Sequence, residues 1–222
     1  MKKNLFIEGN IRLGKSTLIR EILLPFFPKV GGIFVQRIFI GERYVAFKLN
    51  PVREAEDYRL NKYVNSLSGM DNLFLYSDVR GKWQAKKEIF ESGGVAYIKE
   101  SIEDNKKLIL LDELGGVELN CPAFMETVMT ALNSKIPVLG VLKSSRNVGK
   151  LNAALTSNRA GNCANSVRAV SAEKKVRGDS GACFLQRIKS HPEFELLRVT
   201  ENNIPEIKSK VKKFVERALS RA

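Results

Sequence analysis

Asn4-Leu5-Phe6-Ile7 is a short apolar, strand-like run that leads into Gly9-Asn10-Ile11-Arg12-Leu13-Gly14-Lys15-Ser16, followed by Thr17-Leu18-Ile19-Arg20. No other stretch restricts the possible folds as much. The pattern G-x-x-x-x-G-K-[ST] works as a phosphate loop only between a strand and the start of a helix, which is its setting here. Gly9 and Gly14 let the backbone curl so that successive N–H groups point inward at an anion. Lys15 is placed to reach the β- and γ-phosphates of a nucleotide, and Ser16 offers a hydroxyl to Mg²⁺. The helix that begins there aims its positive end at the same phosphates. Residues Gly9, Asn10, Ile11, Arg12, Leu13, Gly14, Lys15, Ser16 and Thr17 are therefore expected to line a nucleotide site.

The rest of the chain is consistent with one α/β domain over residues 1–222, long enough to enclose a full core. An apolar content of 44% and a charged content of 27% are those of an ordinary globular protein. The basic start Met1-Lys2-Lys3 is followed by an apolar stretch that stops at Ile7, too short for a signal peptide, and no run reaches membrane-span length. A cytoplasmic location is expected. Cys121, Cys163 and Cys183 are odd in number and lack C-x-x-C spacing, so reduced thiols are expected rather than a disulfide framework or zinc site.

Charge is distributed unevenly. The net charge is +13, and ten Lys or Arg residues stand against two acids between Lys143 and Lys189. A field of that sign favours polyanions, whether nucleotide, nucleic acid or an acidic partner. No recognisable RNA- or DNA-reading motif accompanies it, so nucleic acid stays a partner without a motif to support it.

Strands are expected at 4–8, 33–39, 44–49, 73–76, 107–111, 136–142 and 194–199. Helices are expected at about 15–26, 55–66, 83–104, 122–133, 183–190 and 204–219. Alternation of the two, with unbroken apolar strands, implies a doubly wound, mainly parallel sheet covered on both faces. The last helix carries Ile207, Val211, Phe214, Val215 and Ala218 on one stripe, with Asn203 and Pro205 suited to its start.

Leu108-Ile109-Leu110-Leu111-Asp112-Glu113 is the second motif that carries chemistry. Four apolar residues form a buried central strand, and two acids emerge at its carboxyl end, where ligands bind in open α/β sheets. Asp112 is then placed to hold Mg²⁺ together with Ser16. Glu113 is placed to activate water as a general base. Glu118 reads equally as a residue that frames the following helix and as a nucleotide contact. His191, the sole histidine, precedes Pro192 without a partner for nucleophilic chemistry. Trp83 reads as a core aromatic in preference to a base-stacking one.

With these motifs in view, the chain resembles the P-loop nucleoside-triphosphatases of archaea and thermophilic bacteria, whose human member is the cancer-related nucleoside-triphosphatase. The similarity runs through Gly9–Thr17, Val30-Gly31-Gly32-Ile33-Phe34, Arg43-Tyr44-Val45-Ala46-Phe47 and Arg80-Gly81-Lys82-Trp83. It continues through Asp112-Glu113-Leu114-Gly115-Gly116-Val117-Glu118, which resembles the family's D-E-I-G-x-M-E signature, and through Leu197–Asn203. The resemblance implies a RecA-like P-loop fold and Mg²⁺-dependent hydrolysis of ATP, GTP and other triphosphates with loose base preference. Three departures stand out. Arg12 replaces the usual middle glycine of the loop, and Val35-Gln36-Arg37 replaces a Thr followed by an acid. Lys143 and Arg146 occupy the region where the family tends to carry His or Arg, which makes Arg146 the candidate for a charge-stabilising arginine.

The leading reading is a nucleoside-triphosphatase with Lys15, Glu113 and Arg146 as catalytic residues and Ser16 and Asp112 as metal ligands. The alternatives are a kinase that passes the γ-phosphate to a small acceptor, and a nucleic-acid-associated ATPase. A basic segment at about 148–181 reads as a lid or a surface loop.

Overall fold

The computed structural model describes residues 2–53, 58–143 and 181–220. Arg146 and nearly all of the basic segment at 148–181 lie outside the described residues. The amino-terminal half runs β1 (Asn4–Gly9), α1 (Lys15–Leu23), a 3₁₀ turn (Leu24–Lys29), β2 (Val30–Ile40), β3 (Arg43–Pro51), β4 (Asn61–Tyr63), β5 (Leu73–Ser77) and β6 (Trp83–Ala85). A π-turn (Phe90–Gly94) then leads into α2 (Val95–Glu103), β7 (Leu108–Leu114), a 3₁₀ turn (Val117–Asn120), α3 (Pro122–Asn133) and β8 (Val138–Lys143). The last described elements are α4 (Gly181–Lys189), β9 (Phe194–Val199) and α5 (Ile204–Ser220).

All the described strands join one sheet in the order β6-β5-β3-β2-β7-β8-β1-β9, with β4 paired to β2 off that path. From β2 to β9 the sheet is parallel, so the carboxyl ends of β2, β7, β8, β1 and β9 share one edge. From β2 outward to β6 it is antiparallel. The parallel character predicted from the sequence therefore holds for the half that carries the motifs. The other half departs from it because β2 and β3 are separated by Gly41 and Glu42 alone. Two residues can close a hairpin, with Gly41 at φ 58° supplying the left-handed conformation, whereas a parallel link needs a crossover of a dozen residues or more.

Unbroken apolar strands are explained by cover on both faces. Leu5 and Ile7 of β1 and Leu108 and Leu110 of β7 pack with α1 and α5, where Ile19, Leu23, Val211 and Phe214 meet them. Phe6, Ile109 and Leu111 face the other way, onto Phe124, Val128 and Leu132 of α3 and Phe184 of α4. Burying a core side chain of this size is worth about 1.5–3 kcal/mol.

Two expected helices are corrected. In the described part of 55–66, Asn61–Tyr63 is strand, paired in parallel with Arg37–Phe39, while Arg37 N–H donates to Leu60 O at 2.8 Å. A ladder partner outweighed local helical pattern there. In 83–104, Trp83–Ala85 pairs antiparallel with Leu75–Ser77 before the helical turns begin. Trp83 packs on Tyr44 and Phe47 at ring distances of 5.6 and 6.1 Å, at the sheet edge opposite β9. At the start of α5, Asn203 O accepts from Ile207 N–H. Its side chain ties down the incoming chain instead of the helix amides, accepting from Thr200 N–H and donating to Arg198 O.

Candidate nucleotide site

Three carboxyl-end segments meet at the parallel edge. The first is the loop between β1 and α1. Gly14, at φ 72° and ψ 17°, is left-handed and its carbonyl accepts the first helical bond from Leu18 N–H at 2.8 Å. A Cβ on Gly9 would lie 2.6 Å from Val199 O of the neighbouring strand. Arg12 is also left-handed, at φ 69°, a conformation that favours glycine; its side chain is exposed. Lys15 folds back over the loop, its Nζ donating to Gly9 O at 2.9 Å and Asn10 O at 2.6 Å. Burial lowers its pKa, Glu113 and Asp112 oppose that, and the Arg37 charge adds to the lowering.

The second segment is the end of β7. Leu111 lies opposite Gly140 and Leu114 opposite Leu142, so Asp112 and Glu113 together face the single residue Val141. This is a β-bulge, the device that re-aims side chains beside sites. Glu113 sits in it at φ 63°, a conformation rare outside glycine. Asp112 is 3% exposed and its Oδ1 accepts from Ser16 Oγ–H at 2.9 Å, across 96 residues of chain. Its Oδ2 is buried without a hydrogen-bond partner among the described residues. Burial, and then the Glu113 charge, push the Asp112 carboxyl up to about 7, against the Ser16 hydrogen bond, Lys143 and the Val35 backbone.

Glu118, 2% exposed, accepts from the amides of Gly115 and Gly116 at 2.5 and 2.6 Å. Its carboxylate holds the turn behind Glu113, so the framing role described above is the one its contacts show.

The third segment is the end of β8. Lys143 lies beside Gly9 in the ladder, and its Nζ is 4.0 Å from Glu113 Oε2. Sequence reasoning passed over Lys143 as a member of the site. Its signal was available: it closes the strand that adjoins the phosphate-loop strand. Glu118 had the weaker signal of a buried acid close behind Asp112-Glu113.

The oxygens of Ser16 and Asp112 are of the hard kind that could hold a small cation. Among the described residues no cluster of three or more His, Cys, Asp or Glu side chains forms a metal cage. Cys121 is buried, its thiol pushed up to about 12 chiefly by burial, and it takes no part. His191 is engaged by Asn133 and the Glu193 amide in a turn.

A phosphate loop between a strand and a helix, with an acid-tipped strand two places away in a parallel sheet, defines the P-loop class of nucleotide-binding folds. Residues 4–169 match the sequence model of the NTPase family. The chain belongs to that family. It is 29% identical over 143 residues to nucleoside-triphosphatase THEP1 of Thermofilum pendens, covering 63% of this chain and 73% of the relative. It is 22% identical over 220 residues to the protein of that name from Natranaerobius thermophilus, covering 98% of this chain and 99% of the relative. Among solved structures, the human cancer-related nucleoside triphosphatase superposes with a TM-score of 0.61 at 14% identity, over 99% of both chains. THEP1 of Aquifex aeolicus superposes with a TM-score of 0.57 at 15% identity, over 94% of this chain and 96% of that one. The family and the P-loop fold inferred from the sequence are both upheld. No helix among the described residues is long and apolar enough to cross a membrane.

Proposed function

We propose that this chain hydrolyses nucleoside triphosphates to the diphosphate and phosphate with Mg²⁺ as cofactor, in the cytoplasm where both are supplied. The observation that carries the reading is the Ser16–Asp112 hydrogen bond at 2.9 Å beside an unpartnered, buried Asp112 Oδ2. It gathers hard oxygen ligands between the phosphate loop and Glu113.

On substrate arrival, Lys15 exchanges the Gly9 and Asn10 carbonyls for phosphate oxygens, and the amides of residues 10–16 complete the cradle. Thr17 is placed for the α-phosphate. Ser16 and Asp112 would hold the metal, which when bound would supply neutralisation of the phosphate charge. Glu113 accepts a proton from the attacking water as its oxygen bonds to the γ-phosphorus. The bond from that phosphorus to the β,γ-bridging oxygen breaks, and Lys15 stabilises the negative charge left on the diphosphate. Inorganic phosphate and the diphosphate leave, and Glu113 returns its proton to phosphate or solvent.

The test is incubation of purified protein with Mg²⁺ and each nucleoside triphosphate in turn, measuring diphosphate and free phosphate. Equal release of both without any added acceptor is expected. Product only in the presence of a small phosphate acceptor would replace hydrolysis with the kinase reading.

A further inference from the structure

The sheet order β2-β7-β8-β1-β9 places the phosphate loop after β1, the two acids two strands away at the end of β7, and β2 immediately beyond them. A phosphate chain that starts in the loop and ends at Asp112 and Glu113 therefore has β2 past its terminal phosphate. Ile33 of β2 lies opposite Leu111 of β7, and four residues further along the same strand stands Arg37.

Neighbours on β2 fix what Arg37 faces. Gln36 is buried and its Nε2 donates to Arg59 O, on the side of the sheet that carries Phe34 and Tyr58. Val35, with the opposite parity, joins the core on the α2–α3 side, and its backbone acts on the Asp112 carboxylate. Arg37 shares the parity of Val35 and is half-buried at the carboxyl edge, near enough to Lys15 to oppose its charge. Two half-buried lysines have carboxylate neighbours: Lys48 with Asp71 and Lys143 with Glu113. Arg37 makes no ion pair among the described residues. A guanidinium withdrawn from water without a counter-charge is costly, and an arriving anion removes that cost. Its planar fork pairs with two phosphate oxygens at once.

We propose that Arg37 is the catalytic arginine of this site, contacting the γ-phosphoryl group and neutralising the charge that develops on it in the transition state. The inference rests on the nucleoside-triphosphatase reading above. It gives to a described residue of β2 the part that sequence position alone had suggested for Arg146. Here the cation comes with the strand and needs no partner protein.

The experiment compares wild type with Arg37→Ala, Arg37→Gln and Arg37→Lys, each first checked for unchanged circular dichroism and Tm. Arginines that act in this way are worth about 10³–10⁵ in kcat, so Arg37→Ala should lose at least roughly 10²-fold in kcat. Affinity for a non-hydrolysable triphosphate with Mg²⁺ should change little, whereas affinity for the diphosphate with fluoroaluminate should fall by a factor similar to kcat. Arg37→Lys should recover only a minor part, and added guanidinium ion should partly rescue Arg37→Ala. Arg37→Gln keeps a polar side chain of similar reach, so a loss as large as that of Arg37→Ala ties the effect to charge. Wild-type kcat in Arg37→Ala, or a rise in KM alone, overturns the proposal. Lys15→Ala and Glu113→Gln serve as controls. If they are inactive while Arg37→Ala is active, only the Arg37 assignment fails; if they too are active, the underlying reading fails.

Discussion

Glu113 holds a left-handed backbone conformation that disfavours a side chain by about 1–2 kcal/mol, and it does so inside a bulge that points it at the phosphate-loop edge. Glu113→Gln keeps the size and the hydrogen bonds but removes the base. Turnover should therefore fall by roughly 10²–10⁴-fold, with triphosphate affinity little changed because Lys15, Ser16 and Asp112 are intact. Titration of nucleotide binding alongside steady-state turnover checks this; equal losses in both would make Glu113 a structural residue. Asp112 supplies a second residue-scale prediction. Its carboxyl is raised from 3.8 to about 7, so between those values the folded state holds a proton that the unfolded chain has released. Stability of the metal- and nucleotide-free protein from this group is therefore greatest below about pH 4 and is lost as pH rises toward 7. Asp112→Asn removes the penalty. At pH 8, in chelator, it should be more stable than wild type by roughly 1–3 kcal/mol, and the difference should vanish near pH 4. Chemical denaturation at the two pH values decides, and an Asn variant that is less stable at pH 8 would refute the buried-charge account.

At the scale of elements, the turn from β7 into the 3₁₀ segment depends on one carboxylate. Glu118 satisfies the Gly115 and Gly116 amides together, and Gly115 itself is left-handed at φ 122°. Glu118→Ala would leave two buried N–H groups without partners, at a cost of about 2–4 kcal/mol. It should also slow turnover, since the bulge that aims Glu113 loses its brace. Glu118→Gln retains an acceptor oxygen and should restore most of the stability, so urea denaturation of the pair separates positioning from charge. Little of this was legible in the one-dimensional pattern. The run Leu108–Leu111 announces a buried strand, but a bulge is a mismatch between two strands, and β8 lies far along the chain from β7. The same reason explains β4 and β6. Each is only three residues long, too short to show a period of two, and each exists because a ladder partner is already in place.

For the whole molecule, the net charge of +13 acts on any polyphosphate substrate as a long-range field. Raising the salt from about 50 to about 300 mM shortens the screening length from roughly 14 to 6 Å. Apparent KM for a triphosphate should then rise several-fold, with kcat nearly constant because the site charges lie within contact range. Steady-state kinetics across that salt range test it. A KM that does not move would show that the basic surface plays no part in capture. Some of the cations are paired within the fold, with acids already counted in that net charge: Lys189 pairs with Glu8 at 2.9 Å, Lys208 with Glu21 at 2.7 Å, and Lys210 with Glu206 at 2.7 Å. Such exposed pairs are worth at most about 1 kcal/mol each, so they leave the field largely intact.

What this sequence determines by itself is the chemistry written in contiguous residues. Gly9 to Thr17 must curl between a strand and a helix, because no other arrangement satisfies that spacing of glycine, lysine and serine. Leu108 to Glu113 must be a buried strand with acids at its end, because four consecutive apolar residues need cover on both faces. The family follows from these runs. Tertiary structure alone decided which distant groups meet. It joined Ser16 to Asp112 across 96 residues, set Lys143 beside Gly9, and turned the β3–β6 half antiparallel. It also carried Arg37 past the acids on β2. Those pairings are differences in free energy between whole packed arrangements, summed over many weak contacts, so no short window of residues contains them.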